Sequence, residues 1–397
     1  MKEKKMKLAI ICTEDKPVPA LGVGAVEAIV EDLVALNNKK QLVEIDIYAI
    51  SNEQREAGEQ QNTNHYFHQG KSSRFEKLRN QLILRLGVKE LYQCQFLNTA
   101  IKEINKQQYD WILVQNRPQF ILSLRESLQD KRTKIALHLH NEHFFNKSFK
   151  KSLNAFIYCS YDCILTVSDY IKDQVLKSSP GLATSKVRTL RNTIDVEKFK
   201  EATPPDIPLL EKLHDKQVVA FHGRLIPEKG VLELIHAYKI ARQTVPNLAL
   251  VIIGELKDTA YCDQLKKAAQ GEIGETIFFT GFIPYSEIEL YLGVGDVIVS
   301  PSLWNEPCSL AQLESLSMGK PLITTRAGGT SEFVIHEETG FLIDISQNFE
   351  EKLAKQIVRC FRDMITTNKV GKNARDFMMK ECSRDTYLEK LLATIEG

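Results

Sequence analysis

Glu306 and Glu314 bracket the stretch Glu-Pro-Cys-Ser-Leu-Ala-Gln-Leu-Glu, directly after a short apolar strand expected over Asp296–Ser300. Pro307 suits a first helical position and Gly319 the residue just past a helix end. A helix is therefore expected between them, its N-terminus presenting unpaired N–H groups and a partial positive charge to an anion. Over eight helical steps the two carboxylates would stand roughly 12 Å apart, comparable with the span of a sugar, a diphosphate and a ribose. A carboxylate at each end could accept hydrogen bonds from hydroxyls. Two unrelated glutamates on a solvated helix give the same spacing, so the neighbouring residues must decide.

A strand over Val218–His222 leads into His222-Gly-Arg-Leu-Ile-Pro-Glu-Lys-Gly230, which places Arg224 and Lys229 in one loop ahead of a helix starting near Val231. The planar fork of Arg224 and the point charge of Lys229 could together neutralise a diphosphate without a metal. Gly223 and Gly230 permit close backbone approach. A solvated charged loop is the plainer alternative. Arg326-Ala-Gly-Gly-Thr330 follows another expected strand, and its paired glycines serve either a ligand or a tight connection. Gly22-Val-Gly-Ala-Val-Glu27 opens the first long helix in a similar way. His138, His140 and His143 cluster at the end of a strand, where working residues of a doubly wound domain gather. No cysteine or carboxylate set at metal spacing accompanies them beyond Glu142, so a zinc site is disfavoured. His140, nearest the strand end, is the preferred candidate for a polar site histidine, with purely structural histidines as the other reading.

The chain has 397 residues, 43% apolar and 26% charged, more than one core usually holds, so two domains are expected. Residues 1 to 195 hold 29 basic and 22 acidic side chains and the remainder 23 and 29. A basic first half beside an acidic second half argues against nucleic acid as partner of the whole chain and suggests an acidic substrate or membrane surface on one side. Eight scattered cysteines fit a reduced, cytoplasmic protein. No run reaches the length of a membrane span, and Leu8–Cys12 is too short for a signal peptide.

Short β-rich runs over Lys7–Cys12, Val43–Ile50, Trp111–Gln115, Ile135–Leu139 and Cys163–Val167 alternate with helical patterns. In the first of these, Val26, Ile29, Val30 and Leu33 recur at helical spacing. A second series runs through Val218–His222, Leu248–Ile253, Ile277–Thr280, Asp296–Ser300 and Leu322–Thr324. This is an α/β pattern of two parallel sheets wrapped by helices. Thr203-Pro-Pro-Asp-Ile-Pro208 opposes helix and interior strand and reads as the linker. The expected division is residues 1–202 and 203–383, two doubly wound Rossmann-like domains facing each other across a cleft, with a final helix over about 384–397 packing back on the first.

Read in order, these residues resemble glycosyltransferase family 4, the retaining GT-B enzymes. His222-Gly-Arg-Leu with Glu228-Lys-Gly230 is similar to the family's Gly-Arg-Leu and Glu-Lys-Gly loop. Val251-Ile-Ile-Gly254 is similar to its nucleotide-side strand, Arg191-Asn-Thr-Ile-Asp195 with Phe199 to its Pro-Asn-Gly-Val-Asp segment, and Phe279-Thr-Gly-Phe282 to its base-side loop. Glu306 to Glu314 resembles its double-glutamate signature, and Ala327-Gly-Gly-Thr-Ser-Glu332 with Thr339-Gly-Phe-Leu342 completes the series. The resemblance implies that Arg224 and Lys229 bind the donor diphosphate, Glu314 the ribose hydroxyls and Glu306 the transferred sugar. Backbone N–H groups near Ser309 and Leu310 would complete the phosphate site, with Gly223, Gly254 and Phe282 lining the nucleotide. Gly24 would lie in a glycine turn beneath the phosphate and acceptor, and His140 would approach the sugar across the cleft. Val23, Thr193 and Cys308-Ser309 depart from the family's usual Gly, Gly and Phe-Gly, while the charged positions are retained. Gly24-Ala-Val-Glu27 and Leu139-His-Asn141 look most like a bacterial subgroup that includes spore-coat and polysaccharide glycosyltransferases.

The implied reaction is transfer of a hexosyl or N-acetylhexosaminyl group from a nucleotide-diphosphate sugar, expected to be a UDP-sugar, to a glycan or lipid-linked acceptor in cell-surface polysaccharide synthesis. Configuration would be retained, the leaving phosphate taking the acceptor's proton, with no cofactor and no metal. Catalysis would be electrostatic, from Arg224, Lys229 and a helix N-terminus. Residues 71 to 90 carry six basic and two acidic side chains among Phe75, Leu78, Leu82, Ile83 and Leu86, and Lys147, Lys150 and Lys151 extend the basic character. Such a segment could lie on the anionic inner face of a membrane or dock on its own domain. The rival functions are a nucleotide-sugar epimerase of the same architecture and a catalytically silent partner. Loss of Arg224, Lys229, Glu306 or Glu314 would mark the latter, and all four are present.

Overall fold

The computed structural model describes residues 5–18, 24–50, 64–69, 73–86, 94–142, 151–200, 207, 209–257 and 259–397. The chain forms two compact units, Met1–Arg191 with Asp385–Gly397, and Asn192–Arg384.

The first unit holds strands β1 (Lys7–Ile11), β2 (Glu44–Ile50), β3 (Asn64–Gln69), β4 (Trp111–Gln115), β5 (Lys134–Leu139), β6 (Cys163–Thr166) and β7 (Val187–Thr189). Its helices are α1 (Ala25–Lys40), α2 (Arg74–Leu86), α3 (Gln95–Ile104), α4 (Ile121–Ser127), α5 (Lys151–Cys159) and α6 (Asp169–Ser178). All seven strands run parallel in the order β3-β2-β1-β4-β5-β6-β7. Parallel strands are covered on both faces and so read as continuous apolar runs, as Lys-Leu-Ala-Ile-Ile and Trp-Ile-Leu-Val-Gln do. Leu8 and Ile10 of β1 pack with Ile29, Val30 and Leu33 of α1 in one core.

The second unit holds α7 (Leu209–Leu213), β8 (Gln217–His222), α8 (Val231–Arg242), β9 (Leu248–Ile253), α9 (Ala260–Ala268), β10 (Ile277–Gly281), α10 (Ile288–Gly293) and β11 (Val297–Ser300). It continues with α11 (Leu310–Ser317), β12 (Leu322–Thr325), β13 (Phe341–Ile343), α12 (Phe349–Arg362) and α13 (Met364–Glu381). The sheet is again parallel, ordered β10-β9-β8-β11-β12-β13. Alternate residues of one strand feed opposite cores: Val219 and Phe221 pack with α8 and α12, Val218 and Ala220 with α11 and α13.

Both sheets thus have the doubly wound order in which the strand sequence reverses between the first and fourth strands, β1/β4 and β8/β11. Ligands of such sheets bind outside the carboxyl ends at that reversal.

The units divide after Arg191, earlier than the boundary expected at residue 202. Ile194, Val196 and Phe199 are buried in the second unit's core, and the Ile194 N–H donates to the Cys382 carbonyl at 2.9 Å. Arg384 pairs with Asp195 at 2.5 Å. The proline-rich segment expected as the linker, residues 203–208, lies outside the described residues except for Ile207. The last helix, α14 (Tyr387–Glu396), belongs to the first unit, where Tyr387, Leu388, Leu391 and Ile395 enter the core and Lys40 pairs with Glu389.

Strands β3, β7 and β13 are additions to the expected set, and all three lie at sheet edges. Helix α2 exposes Phe75, Leu78 and Leu82 at 78%, 65% and 57% while burying Asn80, so its apolar stripe is not the face that docks. Glu76 on the same helix accepts a hydrogen bond from the Gln95 N–H. Lys71, Lys89, Lys147 and Lys150 lie outside the described residues. Among the described residues, no helix is long and apolar enough to cross a membrane.

Candidate active site

At the β8/β11 reversal two loops are fastened to each other. After β8 the chain passes Arg224, makes one tight turn over Pro227–Lys229, and enters α8 through Gly230 at φ 67°. A Cβ on Gly230 would fall 2.1 Å from the Pro301 carbonyl oxygen, so this left-handed close approach admits only glycine. Two residues further on, the Leu303 N–H donates to the Glu228 carbonyl at 2.8 Å.

This fastening brings Lys229 Nζ within 2.5 Å of Glu306 Oε1, while Ser302 Oγ donates to the same oxygen at 2.6 Å. The side chains are 13% and 3% exposed, and a cation and a hydroxyl on one buried carboxylate offset much of its desolvation. Arg224 is exposed and makes no ion pair among the described residues.

Glu306 is not part of the helix. Its carbonyl accepts from the Gly329 N–H at 2.7 Å, and a Cβ on Gly328 (φ 61°) would meet that same carbonyl at 2.3 Å. The paired glycines of residues 326–330 therefore grip the Glu306 backbone, and α11 begins only at Leu310, after Ser309 in an extended conformation. The expected helix start at Pro307, and with it the estimated 12 Å rise between the glutamates, is corrected accordingly. Ser309 is the N-cap residue, without a side-chain cap bond, and Gly319 at φ 72° lies just past the helix end.

Gln312 anchors α11, donating from Nε2 to Thr324 Oγ1 at 2.9 Å, and Thr324 Oγ1 in turn donates to the Ser300 carbonyl. The anchored helix buries Glu314 at 3% exposure with Oε2 lying 3.2 Å from Nδ1 of His222, the last residue of β8. Neither of these atoms has a hydrogen-bond partner among the described residues, and the same holds for Trp304 Nε1 and Asn192 Oδ1. The Trp304 ring lies 5.9 Å from Lys229 Nζ, and Asn192 Nδ2 donates to the Cys308 carbonyl at 3.5 Å. Burial pushes the Cys308 thiol well above its ordinary range. Gly254 follows β9 and bridges to Gly281, after which Phe282 stands 53% exposed.

The β1/β4 reversal of the first unit is furnished differently. Thr13 Oγ1 donates to Glu27 Oε1 at 2.9 Å, with Gly24 as the residue preceding α1. Arg117 pairs with Glu14 at 2.5 Å and with Asp15. Asn116, in the left-handed region at φ 53°, accepts the His140 N–H at 3.1 Å, and His140 Nε2 lies 2.9 Å from Gln115 Oε1. The His138 and His140 rings stand 4.1 Å apart. Burial alone pushes His138 down to about 3, so its imidazole is neutral. His143 and Gly22 lie outside the described residues. Among those described, no group of three or more His, Cys, Asp and Glu could hold a metal ion.

The structure thus unites Lys229 with Glu306, sets Glu314 at the same reversal, and places His140 and Gly24 in the other unit. Ser302, His222, Gln312, Trp304 and Gln115 are additions to the expected set. Position at a strand's carboxyl end was the available signal for His222 and Gln115; nothing in the sequence marked Trp304.

Two parallel Rossmann-like domains, each furnished at its own strand reversal, define the GT-B class of glycosyltransferase. Residues 206–377 match the family described as Glycosyl transferases group 1, and residues 43–198 match Glycosyltransferase Family 4. YtcC of Bacillus subtilis (strain 168) is 31% identical over 385 residues, covering 93% of this chain and 87% of that protein. Spore coat protein SA of the same organism is 25% identical, covering 98% and 99%. Anabaena HepE in complex with UDP superimposes with a TM-score of 0.74 at 20% identity, covering 98% and 99%. The chain belongs to glycosyltransferase family 4.

Proposed function

We propose that this glycosyltransferase moves a hexosyl or N-acetylhexosaminyl group from a UDP-sugar to a glycan or lipid-linked acceptor, with retention of configuration, in bacterial cell-surface polysaccharide synthesis. The observation that carries the donor assignment is the β8/β11 end of the second unit. There a lysine-held carboxylate, an uncommitted arginine and four buried, unpartnered polar atoms converge on one strand reversal. Buried polar atoms are costly without partners, and a polar ligand supplies them. Lys229 and Arg224 are assigned to the leaving diphosphate, with N–H groups around Ser309 and Leu310; Glu306 takes the sugar hydroxyls and Glu314 the ribose. Glu306 is not the nucleophile in this reading, because it stands beside the sugar hydroxyls, with Oε1 held by Lys229 and Ser302. His140 is assigned to transfer. The UDP bound by HepE, and the resemblance to polysaccharide and spore-coat enzymes, support UDP and a surface glycan as the first choices to test.

Peripheral contact with an anionic membrane belongs to the same reading. Phe75, Leu78 and Leu82 form an i, i+3, i+7 stripe facing solvent on α2, within a sequence rich in lysine and arginine. Apolar insertion plus attraction to anionic headgroups is the physics of an interfacial helix.

The test is binding and turnover across UDP-, GDP- and ADP-sugars with chelator present, repeated with Glu314→Ala and Lys229→Ala. Selective, chelator-resistant turnover that both substitutions abolish supports the reading. Binding to no nucleotide sugar sinks it in favour of a silent partner. Sedimentation with phosphatidylglycerol vesicles, lost on replacing Phe75, Leu78 and Leu82 by serine, tests the membrane contact.

A further inference from the structure

We propose that His222 is a donor-contact residue that reads the ribose diol of a nucleoside diphosphate together with Glu314; this rests on the donor assignment above. His222 Nδ1 and Glu314 Oε2 lie 3.2 Å apart on side chains that are 16% and 4% exposed. At that distance an imidazole N–H and a carboxylate oxygen normally satisfy each other, yet here both atoms are left without a hydrogen-bond partner. The two atoms are neighbours held out of line, by β8 on one side and by the Gln312-anchored α11 on the other.

A vicinal diol resolves both. The 3′-hydroxyl donates to Glu314 Oε2, and the 2′-oxygen accepts from His222 Nδ1–H. A phosphate would suit the imidazole but would be repelled by the carboxylate, so the pair selects a neutral, hydroxyl-bearing group. The diphosphate's counter-charge is found elsewhere, on Lys229 at Glu306. The predicted consequence is discrimination between ribose and 2′-deoxyribose, to which an aliphatic residue at 222 would contribute nothing.

The experiment is calorimetric titration of the full chain with UDP and with 2′-deoxy-UDP, for the wild type, His222→Phe and His222→Asn, with thermal unfolding confirming that each variant folds. His222→Phe keeps the ring volume without its nitrogens and is expected to weaken UDP binding about 3- to 10-fold, the scale of one hydrogen bond, while leaving 2′-deoxy-UDP binding unchanged. His222→Asn, whose Nδ2–H stands near the position of Nδ1–H, restores most of the preference. If His222→Phe does not fold, His222→Val provides the same comparison. An unchanged ribose-to-deoxyribose ratio in a folded variant lacking the nitrogen overturns the proposal. A wild type that binds neither UDP, GDP nor ADP overturns the donor assignment itself, and this proposal with it.

Discussion

The two strand reversals share one scaffold and differ in what is mounted on it. At β8/β11 a buried cation–carboxylate pair stands beside unpartnered polar atoms, in loops clamped by Gly230 and Gly328. At β1/β4 Arg117 pairs with Glu14 and Asp15, Thr13 with Glu27, and His140 with Gln115 and Asn116, while Gln115 Nε2 and both ring nitrogens of His138 are buried without a hydrogen-bond partner among the described residues. Identical strand order therefore fixes where a site forms and leaves its chemistry to a handful of loop residues. The second reversal carries a lysine-held carboxylate in clamped loops, whereas the first carries an arginine held by two carboxylates beside a neutral, buried histidine.

The largest effect that can test this contrast is Lys229→Ala. Removing the cation strands a buried carboxylate and is expected to cost about 3–5 kcal/mol of stability and at least about 100-fold in turnover. Urea unfolding and a donor-turnover assay read the two. Adding Glu306→Gln should recover the stability and not the turnover; a double variant as unstable as the single one would show that the pair is not what holds the loop.

Next is Gly230→Ala, for which left-handed strain plus collision with Pro301 predicts a loss of about 2–4 kcal/mol. In the first unit Gly181 also has positive φ, at 84°, but an added Cβ there meets nothing within 4 Å. Gly181→Ala should therefore cost only about 1–2 kcal/mol. Equal shifts in the two unfolding midpoints would remove the claim that the β8/β11 loops are clamped.

His140→Ala should lower transfer about 10- to 100-fold, roughly 1.4–2.8 kcal/mol of barrier, while UDP affinity measured by calorimetry stays the same. Weakened UDP binding would break the division of labour between the two reversals.

His138 adds a pH signature. Its folded-state value is depressed to about 3 from an ordinary 6.5, so below pH 6.5 the unfolded chain binds a proton that the native state refuses. Stability from this group is present above pH 6.5 and is lost toward pH 3, by up to about 1.4 kcal/mol per pH unit. His138→Phe should flatten that slope in urea titrations; a slope identical to wild type would contradict a buried neutral imidazole.

The smallest effects are matched helix caps. Ser168 in the first unit and Thr259 in the second each accept a hydrogen bond from the N–H three residues on, and either Ala substitution should cost about 1 kcal/mol.

The inner strands of both sheets were legible because strands covered on both faces must be apolar throughout. The edges were not: Asn-His-Tyr-Phe-His-Gln in β3 is too polar, and Val-Arg-Thr in β7 too short, to stand out from loops. The unit boundary was misplaced because the prolines at 203–208 are conspicuous, whereas Ile194, Val196 and Phe199 reveal their allegiance only by the core they enter.

The sequence by itself determined the parallel architecture, the family, and the charged residues Arg224, Lys229, Glu306 and Glu314, since periodicity and residue type are local properties of the chain. Only the tertiary structure decided that Lys229 holds Glu306, that the glycines of residues 326–330 clamp the Glu306 backbone, and that His222 meets Glu314. Those pairings join residues up to 92 positions apart, and such contacts exist only once strand order has brought the carboxyl ends of β8 and β11 side by side.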